Sequence, residues 1–328
     1  MGCYSLLFEN FSLMLTFFVR TSALFLAEQL RREGKLPTVG GLVKPVKDPT
    51  HCMCDGTLVP SLAFGLYKVP ADEDGERIIG DAIMAGYRHF DTASLYQNER
   101  ILGQAIKKSG IPRKEFIVCS KVWNDAQIKG REAVRQSVER SVNELEIGYF
   151  DILYVHWPVP GHFIETYREL QDLCREKIIK SIGLSNFSIN DYEELLACKD
   201  DNWVQPIVNQ MEVSPFMYRP ATIQFFQDRN IQVAASKALH RAIGIEEGIV
   251  KSIADSHGVT TAQVMLRWSF QKRLIVVAKT ANADRMNENR HILHFSLTDE
   301  EMTQLDSLTS EEDIRTREEL EIQRRRGV

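Results

Sequence analysis

The sequence predicts an α/β fold, a single-domain (β/α)8 (TIM) barrel, and three observations carry that prediction. Eight short apolar runs alternate with amphipathic stretches from about residue 55 onward. The runs are continuously rather than alternately hydrophobic, which marks strands buried on both faces and hence a parallel sheet. After the first run the chain reads "GLYKVPADEDG", without the G-x-G-x-x-G that an open dinucleotide-binding sheet carries there. Eight strands with a helix in every gap favour closure into a barrel.

Taken in order, Asp55-Gly56 is a turn signal between short extended pieces, as in a small hairpin. The strand candidates are "SLAFGL", "YRHFD", "EFIVCSK", "DILYVHW", "KSIGLS", "PIVNQ", "IQVAAS" and "LIVVAK". Between them lie "EDGERIIGDAIMAG", "NERILGQAIKKSG", "REAVRQSVERSVNELEI", "FIETYRELQDLCREK", "INDYEELLACKD", "PATIQFFQDRN" and the pair "IEEGIVKSIADSHG" and "TAQVMLRWSFQK". Apolar residues recur in these at three- and four-residue spacing, as helices packed on a sheet require. The expected organisation is an N-terminal extension over 1–50, the barrel over 51–310 and a charged tail over 311–328.

The 328 residues are 44 % apolar and 26 % charged, an ordinary soluble composition. A net charge of −5 with no clustered basic helix gives no reason to expect nucleic acid as a partner. Six scattered cysteines do not form a disulfide framework, and the Cys52-x-Cys54 pair lacks companions at metal spacing. A reducing, cytoplasmic location and a monomer are expected. In residues 1–30 the apolar run "FSLMLTFFV" ends at Arg20, short of the ~18 residues a membrane helix needs. A targeting role for that segment is the alternative to an amphipathic leader.

Active sites of this barrel sit where strands end and βα loops begin. The strand ends carry Tyr67, Asp91, Lys121, His156, Ser185-Asn186, Gln210, Ser236-Lys237 and Lys279-Thr280, and Tyr96 comes off the loop after Asp91. Alone, Asp91 reads as a turn cap, Lys121 as a solvated side chain and His156 as a packed core residue. Together, the barrel brings them to one mouth. An unperturbed tyrosine, pKa near ~10, is a poor acid. A neighbouring ammonium stabilises phenolate and lowers that value, while a carboxylate holds the ammonium. A neutral histidine can orient a carbonyl oxygen. This is chemistry for protonating an oxygen while hydride, which only a cofactor can bring, attacks the carbon.

The blocks "GYRHFDTASLYQNE", "CSKVWN", "YVHWP", "IGLSNF", "VNQMEVSP" and "AKT…R..EN" resemble the signature of the aldo-keto reductase superfamily, in order and at family spacing over about residues 55–310. The resemblance implies NADPH-dependent reduction of small carbonyl substrates, with Tyr96 as proton donor, Lys121 and Asp91 tuning it and His156 orienting the carbonyl. It implies that Ser185, Asn186 and Gln210 hold the nicotinamide carboxamide. Lys279, Thr280 and Arg285 would grip the 2′-phosphate, with Glu288 and Asn289 near the adenine. Tyr67, Trp123 and Trp157 would wall the substrate pocket. Short loops after the fourth and seventh strands resemble the diketogluconate reductase/prostaglandin F synthase-like branch.

Departures from the family pattern are three. After the seventh strand, where the family shows an aromatic and then Ser, this chain has Ser236-Lys237, both assigned to the cofactor, with Lys237 expected to reach the pyrophosphate. Leu66 stands where Thr is common beside the ribose. The tail "EEDIRTREELEIQRRRGV" is far more charged than the family's pocket-lining tails and reads as a solvated helix or disorder. A second reading is therefore a nucleotide-binding, weakly catalytic barrel with a regulatory role. A metal-dependent barrel hydrolase finds one His in "YVHWP" and no H-x-H companion.

Overall fold

The computed structural model describes residues 49–240, 244–246 and 248–325. All of them belong to the unit that begins at Asp48, and the expectations for the N-terminal extension and its targeting role fall on residues outside this range.

Strands β1 (Thr50–Cys52) and β2 (Leu58–Pro60) form an antiparallel hairpin, with His51 opposite Val59, turning at Asp55-Gly56 as expected. Gly56 sits at φ +85, the left-handed region that glycine occupies without penalty. Eight parallel strands follow: β3 (Leu62–Gly65), β4 (His89–Asp91), β5 (Ile117–Val122), β6 (Phe150–Val155), β7 (Ile179–Ser185), β8 (Val208–Glu212), β9 (Gln232–Ser236) and β10 (Ile275–Ala278). They close in chain order, with β10 pairing back to β3 through Val276–Leu62 and Val277–Ala63. The eight predicted strands are these eight.

Helices α1 (Glu73–Met84), α2 (Glu99–Lys108), α3 (Asn124–Lys129), α4 (Arg131–Leu145), α5 (Phe163–Arg175), α6 (Ile189–Ala197), α7 (Pro220–Gln227), α8 (Gly248–His257), α9 (Thr261–Gln271) and α10 (Ala283–Arg290) fill the gaps. Their starts follow local chemistry. Asp72 caps α1 through Gly75 N, and reciprocal capping boxes open α6 (Ser188, Asp191) and α9 (Thr260, Gln263). One apolar core fills the space between strands and helices. A second fills the barrel interior, where Ala63, Cys119, Ile152, Val208, Ala234 and Ile275 meet Met53 and Val59 of the hairpin segment. The hairpin thus closes the N-terminal end of the barrel and leaves the C-terminal end for chemistry. Helix packing is close: a Cβ on Gly103 of α2 would lie 1.7 Å from Leu145 O at the end of α4.

Two helices follow the barrel, α11 (Asp299–Asp306) and α12 (Glu311–Arg325). The tail departs from expectation. It is an ordered helix with Arg317 and Glu321 buried, docked on the barrel mouth rather than solvated. Arg317 pairs with Glu212, Arg325 with Asp191 and Glu321 with Arg219, while Asn124 Nδ2 donates to Arg324 O at 2.9 Å. Its charges meet counter-charges in two places, Asp191 of α6 and, at the end of β8 and just after it, Glu212 with Arg219, so polarity here stands for docking. No helix of the described residues is long and apolar enough to cross a membrane.

Candidate active site

Asp91 ends β4, and the chain then makes a single 3-10 turn, Ser94–Tyr96, that delivers Tyr96 to the mouth. Asn98 fixes this loop. Its Nδ2 donates to Leu66 O (2.9 Å) and Val69 O (3.0 Å), and its Oδ1 accepts from Thr92 Oγ1 (2.6 Å). Lys121 stands near the end of β5, His156 just beyond β6, Ser185 and Asn186 at the end of β7, and Gln210 on β8.

Lys121 Nζ lies 2.7 Å from Asp91 Oδ2 and donates also to Thr92 O at 2.8 Å. Gln210 Nε2 donates to the other Asp91 oxygen at 2.9 Å. Lys121 Nζ is 5.5 Å from the Tyr96 ring centroid, and the Tyr96 and His156 rings are 6.1 Å apart. The four residues singled out in the sequence therefore share one site.

Electrostatics refine the expectation for Tyr96. Burial raises its pKa above the usual tyrosine value and outweighs the pull of Lys121, with Asp91 and Tyr67 adding to the rise. The phenol is not tuned down to neutrality. It is held protonated, with an ammonium placed to receive the charge when the proton leaves. Burial alone would depress Lys121, but Asp91 and Tyr96 override it and keep the ammonium charged. Burial, then Lys121, push His156 well below its ordinary value, so the imidazole is neutral. Its Nδ1 is buried with no hydrogen-bond partner.

Tyr67 is exposed and packs 5.3 Å from Tyr96, and Trp123 lies edge-on to His156 at 4.9 Å. Trp157 is buried, with the Arg317 guanidinium 5.7 Å from its ring centroid, so α12 and not open space lies over it. On the β10 side, Lys279, Thr280, Arg285, Glu288 and Asn289 line one cavity of about 580 Å³ together with Leu239 and Thr261. Among the described residues neither Lys279 nor Arg285 has a carboxylate partner, whereas Glu288 accepts from Thr260 Oγ1 at 2.7 Å. Two unneutralised cations and a hydroxyl at the start of α10 make a donor set suited to a phosphate dianion. Lys237 goes elsewhere: its ammonium bonds the Glu212 carboxylate, the group that also holds Arg317. Leu66 is fully buried and Ser236 is half-buried at the end of β9.

With that geometry in view, the likeness to known proteins is direct. The Aldo/keto reductase family model matches residues 61–244 and 247–310. The chain belongs to the aldo-keto reductase family. A 9,11-endoperoxide prostaglandin H2 reductase of Trypanosoma cruzi is 37 % identical over 262 residues, spanning 78 % of this chain and 90 % of that protein. A glyoxal reductase of Bacillus subtilis is 33 % identical, over 79 % and 92 %. Among solved structures, a Bombyx mori aldo-keto reductase in complex with NADP superposes with a TM-score of 0.74 at 26 % identity, covering 80 % of this chain and 94 % of that one. As a family member with reductase relatives, this aldo-keto reductase is an oxidoreductase of carbonyl compounds.

Arg317 and Glu212 were not singled out in the sequence. Glu212 could have been found, because it stands two residues beyond Gln210 and so shares its face of β8. Nothing near Arg317 marks it among the seven other charged residues of "EEDIRTREELE".

Proposed function

We propose that this aldo-keto reductase reduces aldehydes and ketones to alcohols with NADPH, in the cytoplasm, and that Tyr96 is the proton donor. The observation that carries the reading is the convergence of Tyr96, Lys121, Asp91 and His156 at one mouth, with the phenol protonated, the ammonium charged and the imidazole neutral. NADPH, when bound, supplies the hydride that reduces the carbonyl carbon. Neutral His156 hydrogen-bonds the carbonyl oxygen and sets its direction. The Tyr96 hydroxyl gives its proton to that oxygen as negative charge develops there. Lys121 stabilises the phenolate left behind, and Asp91 with Thr92 O holds the ammonium in position.

Ser185, Asn186 and Gln210 would hold the nicotinamide carboxamide. The cations of the β10 cavity would take the 2′-phosphate, and Glu288 and Asn289 would flank the adenine. Tyr67 and Trp123 would wall the carbonyl pocket beside Tyr96 and His156. The relatives' names make a small dicarbonyl such as glyoxal the first substrate to try. The test is NADPH oxidation by the purified chain over a panel of aldehydes and ketones. Absence of turnover with every reactive aldehyde would reject the reading.

A nucleotide-binding, weakly catalytic barrel is the second reading. It is favoured by Lys237, which is spent on Glu212 at the position where the family stacks and clamps its cofactor. Tight NADPH binding without turnover would select it.

A further inference from the structure

Arg317 of α12 reaches into the site through a side-chain amide. Its guanidinium is almost fully buried, with Nε donating to Glu321 Oε1 (2.7 Å), Nη1 to Glu212 Oε2 (2.6 Å) and Nη2 to Asn186 Oδ1 (3.1 Å). Asn186 sits at φ +60, and its Nδ2 donates to His156 O and to Ser185 Oγ, each at 3.0 Å. A guanidinium can only donate and a backbone carbonyl can only accept. These two neighbours therefore dictate which end of the Asn186 amide faces which way.

The consequence is a polarity. Both amide protons of Asn186 are committed, so its one remaining valence is the second lone pair of Oδ1, an acceptor. Ser185 Oγ accepts from Asn186, so its own proton is free to be donated. A donor beside an acceptor is the complement of a primary carboxamide, which offers C=O and NH2 side by side. Resting on the NADPH reading above, we propose that Arg317 is a positioning residue for the nicotinamide carboxamide, acting through Asn186, so that the C-terminal helix sets cofactor affinity. Without Arg317 the amide orientation rests on His156 O and Ser185 Oγ alone, and the flipped amide, which presents N–H where the carboxamide NH2 requires an acceptor, becomes populated.

The variant should fold. Removing Arg317 leaves Glu212 paired with Lys237 and Glu321 paired with Arg219, so neither buried carboxylate is stranded. The experiment is a double-mutant cycle on the full-length chain with Arg317→Ala, Asn186→Ala and the pair, reading NADPH affinity by protein fluorescence quenching. Each single change should raise Kd roughly tenfold, the scale of one charge-assisted hydrogen bond. The pair should bind no worse than Asn186→Ala alone, because the two residues act on one contact. KM for NADPH should rise with little change in kcat, and Arg317→Lys should recover part of the loss. Wild-type affinity in Arg317→Ala, or losses that add in the pair, would overturn the proposal while leaving the cofactor reading intact. A wild-type chain that does not bind NADPH would overturn both.

Discussion

Lys121 Nζ and Asp91 Oδ2 lie 2.7 Å apart, with side chains 1 % and 7 % exposed. The pair is held from both sides, since Lys121 also bonds Thr92 O and Gln210 bonds the second Asp91 oxygen, and one N–H of the ammonium is left over. A buried ion pair is weak support for stability, but breaking one strands a charge at a cost of about 3–5 kcal/mol. The site is therefore a preset charge arrangement around one phenol.

Tyr96→Phe should fold and bind NADPH yet lose carbonyl reduction by about 10²–10⁴-fold, the contribution of a positioned general acid. Direct binding and single-turnover measurements on the variant separate the two properties. Near-native turnover would show that another group delivers the proton.

Lys121→Met removes the one neighbour that lowers the Tyr96 pKa and leaves burial and Asp91, which raise it. A phenol must be protonated to act as the acid, so the alkaline limb of the reduction profile should move to higher pH while the plateau falls. The pH dependence of kcat reads both; a limb that stays in place assigns it to another group.

His156 should titrate well below the ordinary histidine value, as its NMR shifts will show. Its folded pKa is depressed, so the unfolded chain takes up a proton near pH ~6.5 and the folded chain only lower down. Its stabilising contribution is thus full above that value and lost as pH falls. His89, also buried, acts in the same direction, while Glu99, raised by burial, acts in the opposite one. Denaturation curves of wild type and His156→Gln at pH 7 and 5 isolate the term. The variant should lose less stability on acidification.

Neutralising Lys279 and Arg285 together should raise KM for NADPH and leave NADH nearly unchanged. Charge-assisted bonds contribute about 1.5–3 kcal/mol each, so a wild-type preference on the order of 100-fold for NADPH is expected. Equal use of both cofactors by the wild type would remove the phosphate role from this cavity.

Gly103→Ala puts a methyl 1.7 Å from a backbone oxygen that belongs to another helix and cannot swing away. Overpacking of this kind costs about 1–3 kcal/mol. Thermal unfolding should show the loss with no change in NADPH affinity.

The barrel was legible because burial on both faces writes itself into eight continuous apolar runs, and each strand end then names its own polar residue. Asp91, Lys121 and His156 follow from that rule, and Tyr96 from its distance past Asp91. The direction of the Tyr96 shift was not legible, since it depends on how deeply the ring is buried. The tail was misread for a related reason. Its charge suggested solvent, but Arg317 and Glu321 find partners more than 100 residues away, on loops that only closure of the barrel brings near. Long-range pairing of charges leaves no periodic trace.

Asn98 has one last consequence, for how such a chain can change. A single amide ties the turn carrying Tyr96 to the end of β3 and to Thr92, drawing only on main-chain atoms and one hydroxyl. The acid is thereby insulated from the identity of the side chains around it. Tyr67 and Trp123, the proposed pocket walls, can be exchanged, and the pocket reshaped for a different carbonyl compound, without moving Tyr96, the proposed proton donor. Inventing a new substrate and keeping the old chemistry become separate tasks for natural variation, assigned to separate parts of the same mouth.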